Sequence, residues 1–231
     1  MFSFDRTTGT QMTEESAEGS LQVDDRAVLW SASAADRAGR PLLVLLHGYG
    51  SHEGDLFGLA PYLPLEPVLA SVRAPIAMGP GNAWFPLHDS PTGFTSTPAD
   101  ISAATDALLD WIDGLEVTPS SVGLLGFSQG GAMALELLRA RPEAFAYAAV
   151  LAGFVADLPN ANDSALAEAA PPVFWGRGTA DAVIASDRID RTQAWLPTHS
   201  TLTERIYEGL GHSVSEAELG DLTTFLRARY V

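Results

Sequence analysis

The chain has 231 residues, 46% of them hydrophobic, with a formal charge of −16. That length suits one α/β domain with a core of its own, and so acidic a surface repels nucleic acid and anionic membranes. There is no cysteine, and all 13 basic residues are arginine. This excludes disulfides, thiolate metal sites, a cysteine nucleophile, Schiff-base chemistry and a Ser–Lys pair.

Residues 1–25 carry Glu14, Glu15, Glu18, Asp24 and Asp25 with few apolar anchors, the composition of a flexible extension. They lack the basic start and apolar stretch of a secretory signal, and no run is long enough to span a membrane, so a cytoplasmic location is expected. From there to residue 231 a single domain is expected. Residues 27–34 suit an outer strand. Leu42, Leu43, Val44, Leu45 and Leu46 form a continuous apolar run, as in a strand covered on both faces. A helix is expected over 53–63, a strand over 67–73, and a long loop, rich in Gly and Pro at its start, over 75–97. Helical spacing at Ile101, Ala104, Leu108, Leu109 and Ile112 predicts a helix over 100–115. Further strands are expected at 121–126, 145–151, 173–175 and 202–207. Helices are expected over 129–140 and, with Leu219, Leu222, Phe225 and Leu226 as apolar face, over 216–230. Strands alternating with helices imply a mostly parallel sheet wrapped on both faces, with ligands beyond the C-terminal strand ends.

The pentapeptide Gly126-Phe127-Ser128-Gln129-Gly130 lies between a strand and a helix. A Gly-x-Ser-x-Gly in that context is a nucleophile elbow, presenting Ser128 above the sheet at a helix N-terminus. A serine hydroxyl needs a base and an orienting acid, which follow it in the order acid, then histidine. Of the two histidines past the elbow, His212 lies in the loop after the last strand, between Gly211 and Ser213, whereas His199 precedes that strand at the sheet's other end. The acid is expected in the loop after 173–175, where Asp181 stands 53 residues after Ser128 and 31 before His212. Asp187 and Asp157 are the fallbacks. The oxyanion donors would be the backbone N–H groups of Gln129 and of Tyr49, in the loop His47-Gly48-Tyr49-Gly50-Ser51. His47 then reads as structural, since its spacing to His52 does not suit a metal pair.

Leu45-Leu46-His47-Gly48-Tyr49-Gly50, Gly126-Phe127-Ser128-Gln129-Gly130-Gly131-Ala132, Gly178-Thr179-Ala180-Asp181 and Gly211-His212 together resemble the phospholipase/carboxylesterase family of α/β-hydrolases, which includes the acyl-protein thioesterases. The resemblance runs from about Pro41 to the C-terminus. It implies an α/β-hydrolase fold and hydrolysis of carboxylic esters or thioesters, with no metal or organic cofactor; no long insertion precedes His212, so no large lid is expected. It also implies an aromatic pair at Trp84 and Phe85 beside the site. Ala182 stands where the family often has proline. Trp84, Phe85, Phe154, Val155 and Ile184 are candidates for an apolar acyl wall or, equally, for ordinary core. Small or medium acyl esters are the expected substrates. An acyltransferase or peptidase on the same fold would share the triad, and a non-catalytic receptor would keep the fold without turnover.

Overall fold

The computed structural model describes residues 20–90 and 93–230. Most of the 1–25 segment lies outside the described residues. At its end, Leu21 and Val23 pack against the core and an Asp25 carboxylate oxygen accepts the Trp111 indole N–H at 2.8 Å.

A seven-stranded sheet has the order β1-β3-β2-β8-β9-β10-β11. Its strands are β1 (Val28–Trp30), β2 (Leu42–Leu46), β3 (Val68–Val72), β8 (Val122–Phe127), β9 (Tyr147–Leu151), β10 (Pro172–Gly178) and β11 (Thr201–Tyr207). Only β1 runs antiparallel, against β3; the other pairs are parallel. In β2, Leu42, Val44 and Leu46 enter one core layer while Leu43 and Leu45 enter the other. This is the two-residue period of a strand with apolar neighbours above and below, and it explains the unbroken leucine-rich run. The first layer is covered by α2 (Pro98–Asp113), α3 (Gln129–Ala140), α4 (Asp163–Ala169) and α5 (Ser186–His199). The second is covered by α1 (Gly54–Phe57) and α6 (Glu216–Arg227).

Local chemistry sets the helix ends. Thr97 and Asp100 form a reciprocal capping box at α2, with Pro98 in the first turn. Ser215 accepts the Glu218 N–H at the start of α6.

Several elements differ from the sequence expectation. The outer strand is three residues long, because Ala34–Asp36 turn as a 3-10 segment. The helix expected over 53–63 breaks at Gly58 into α1 and a 3-10 turn at Ala60–Tyr62, where Pro61 supplies no N–H. The stretch 75–97 is not a bare loop. It forms one hairpin from β4 (Ile76–Met78) and β5 (Gly81–Ala83), and another from β6 (His88–Ser90) and β7 (Gly93–Thr95). Two helices, α4 and α5, were not expected. Only Leu166 in α4, and Thr192 and Leu196 in α5, are buried, too thin an apolar stripe to read from sequence. Among the described residues no helix is long and apolar enough to cross a membrane.

Candidate active site

Ser128 lies between β8 and α3, as the cap residue of that helix, with φ 54° and ψ −115°, a backbone conformation that L-residues rarely adopt. The surroundings hold it there. Its N–H donates to the Leu151 carbonyl at 2.9 Å, and its carbonyl accepts the Ala132 N–H at 3.0 Å. The flanking glycines are a matter of space. A Cβ on Gly126 would lie 2.1 Å from the Gly130 carbonyl oxygen, and one on Gly130 would lie 1.9 Å from that of Leu46.

The three side chains singled out by spacing meet here. His212 Nε2 lies 2.9 Å from Ser128 Oγ, and its Nδ1 lies 2.7 Å from Asp181 Oδ2. An Nδ1–H donated to the carboxylate leaves Nε2 free to accept the serine proton. The other carboxylate oxygen of Asp181 accepts the N–H groups of Val183 at 2.8 Å and Ile184 at 3.1 Å. That local turn fixes the acid where the chain carries Ala182 instead of proline. The loops bearing Asp181 and His212 are themselves laced together. Ala180 N–H donates to the Leu210 carbonyl at 2.9 Å, and Gly209 N–H donates to Thr179 Oγ1 at 2.8 Å. The Phe127 ring packs on the imidazole at 4.9 Å between centroids.

The backbone N–H groups of Tyr49 and Gln129 are, among the described residues, given no hydrogen-bond acceptor. Gln129 sits in the first helical turn, where such donors have no partner within the helix. His47, behind the first of these loops, is fully buried. Its Nδ1–H donates to the Gly48 carbonyl at 2.8 Å while Nε2 accepts the Ala74 N–H at 3.1 Å. Burial pushes its pKa down, so the imidazole stays neutral and serves both bonds.

The family model for Phospholipase/Carboxylesterase matches residues 31–230. The chain belongs to that family. A probable carboxylesterase of Oryza sativa subsp. japonica is 28% identical over 153 residues, and the match spans 63% of this chain and 57% of that protein's length. Acyl-protein thioesterase 1 of Kluyveromyces lactis is 28% identical over 220 residues, 84% of this chain and 94% of that protein. Among solved structures, esterase PE8 superposes with a TM-score of 0.71 at 27% identity, covering 91% of this chain and 99% of that one.

The remaining candidates of this family member fall in several places. Trp84 and Phe85 are fully buried, and the Trp84 indole N–H donates to the His47 carbonyl at 2.8 Å, so both belong to the core behind the site. Phe154 lies beneath the Arg188 guanidinium, 4.6 Å from its ring centroid, and Val155 N–H donates to Thr192 Oγ1 at 2.9 Å. Ile184 lines a small cleft with Asp181, Ala152, Gly153 and Ile189. Tyr49 and Val183, on the loops that carry the Tyr49 N–H and Asp181, are exposed apolar side chains.

The fallback acids are engaged elsewhere, since Asp157 and Asp187 both pair with Arg191. His199 stacks on Trp195 at 4.1 Å, away from Ser128. Spacing gave no sign of what the Gln129 side chain does. It is buried, and its amide bonds to the backbone of Trp84 and Phe85.

Proposed function

We propose that the chain is a serine hydrolase that cleaves carboxylic esters or thioesters through an acyl-enzyme. The observation that carries this reading is the continuous hydrogen-bonded chain from Ser128 through His212 to Asp181 on a serine held at positive φ. His212 Nε2 takes the Ser128 proton as Oγ bonds the carbonyl carbon, and the carbonyl π electrons move to oxygen. That oxyanion is met by the Tyr49 and Gln129 N–H groups, each worth roughly 3–4 kcal/mol in such sites. His212 then gives its proton to the departing alcohol or thiol. Water, deprotonated by the same imidazole, releases the acid and returns the proton to Ser128.

Small and medium acyl groups are the substrates this reading favours, and it is supported by the two short hairpins, rather than a helical cap, between β3 and α2. The test is hydrolysis of p-nitrophenyl esters from acetate to palmitate, with an acyl-thioester series read by thiol release. Ser128→Ala should lower turnover by about 10⁴–10⁶. Undiminished activity in that variant would refute the assignment, and the chain-length optimum reads out the acyl size.

A further inference from the structure

Gln129 is buried, and both ends of its side-chain amide are used. Oε1 accepts the Trp84 backbone N–H at 2.9 Å, and Nε2 donates to the Phe85 carbonyl at 2.7 Å. The amide thereby acts as a strand partner for a segment just past the end of β5. The same segment is bound onward to the Tyr49 loop. Trp84 Nε1–H donates to the His47 carbonyl at 2.8 Å. Asn82 N–H donates to the Ser51 carbonyl at 2.7 Å, and the Asn82 carbonyl accepts the Gly50 N–H at 2.8 Å. Gly81 lies so close to Gly50 that a Cβ would stand 1.8 Å from the Gly50 carbonyl oxygen. One run of hydrogen bonds therefore leads from the Gln129 amide, through residues 81–85, to both sides of Tyr49.

We infer that the Gln129 side chain is a positioning group that sets the spacing between the two oxyanion donors, the Tyr49 N–H and its own backbone N–H. The inference rests on the hydrolase reading above. Its physical basis is that the two donors stand on loops after different strands. One of those loops is softened by Gly48 and by Gly50 at φ 73°. Donors help only within about 2.7–3.1 Å of the developing charge, and an error of about 1 Å can cost on the order of 10²-fold in rate. A primary amide suits the task because the segment presents one donor and one acceptor side by side. A carboxylate could not donate to Phe85, and a thioether could not donate and would accept only weakly.

The test uses the full chain carrying Gln129→Met or Gln129→Glu. It reads kcat and KM on a p-nitrophenyl ester, inhibition by an alkylboronic acid, and thermal unfolding. The boronic acid reports on the oxyanion hole because Ser128 Oγ bonds boron as its proton passes to His212, leaving a tetrahedral anion. Both variants are expected to lose about 10- to 100-fold in kcat, with KM within about threefold of wild type. Boronate affinity should fall by a similar factor. A kcat within about twofold of wild type, whatever the melting temperature, overturns the inference, as does a loss confined to KM. Should neither variant fold, Trp84→Phe, which removes the bond to the His47 carbonyl together with part of a buried ring, decides by the same readings, with thermal unfolding separating the packing loss. A wild type without Ser128-dependent turnover would refute the hydrolase reading, and this one with it.

Discussion

Asp181 and Glu218 are two carboxyl groups with opposite surroundings. Asp181 meets an imidazole and two backbone N–H groups. Asp181→Asn should leave folding intact and cost roughly 10⁴ in turnover, because the amide no longer holds the imidazole in the working tautomer; melting temperature and rate together check this. Glu218 is buried in the first turn of α6, against Gly176 of β10, and among the described residues neither of its carboxyl oxygens has a hydrogen-bond partner. Burial, aided by the nearby Asp221 charge, pushes its pKa from 4.5 up to about 7. A carboxyl raised in the folded state binds its proton more tightly there than in the unfolded chain. Its contribution is therefore intact below about pH 4.5, is lost as pH rises to about 7, and is constant above. Glu218→Gln should accordingly stabilise the protein at pH 8 by about 1–2 kcal/mol, less than full relief because the new amide is also unpaired, and should change little at pH 5. Thermal melts of both proteins across that range supply the comparison.

The elements show where sequence patterns suffice and where they do not. β2, β8 and β9 were legible because strands covered on both faces must be apolar throughout, and the elbow because its two glycines are demanded by backbone contacts. That the Ser128, Asp181 and His212 side chains come together could be foreseen because each follows a strand at the same end of the sheet. The wall could not be, since whether Trp84 faces a pocket or the core depends on packing that no spacing encodes. The same holds for the Gln129 side chain, whose partners lie about 45 residues away. Glycine positions give a paired test of the geometry. Gly130→Ala sets a methyl group 1.9 Å from the Leu46 carbonyl oxygen and must push α3 off β2. It should cut turnover by more than about 10²-fold and lower the melting temperature. Gly220→Ala, in the middle of α6 with nothing within 4 Å of the new Cβ, should instead add about 0.5–1 kcal/mol of stability at unchanged kcat.

For the molecule as a whole, the charge of −16 acts on whatever approaches it. Raising salt from about 10 mM to about 300 mM shortens the screening length from roughly 30 Å to below 8 Å. For an ester bearing a carboxylate, kcat/KM should rise several-fold over that range, while a neutral ester of equal size should be nearly unaffected. A flat response for both esters would mean that the field at the mouth is locally balanced. The two hairpins between β3 and α2 also differ in what they hold. The first is bonded into the Tyr49 loop, whereas β6 and β7 are tied by peripheral contacts, such as His88 to Asp100 and Arg188 to the Phe94 carbonyl. Evolution can therefore rewrite the second hairpin almost freely, and so can a mutant library confined to it. Substitutions there leave the hydrogen bonds around Tyr49 and between Ser128, His212 and Asp181 untouched, so that short ribbon can change in sequence while the reacting groups stay in register.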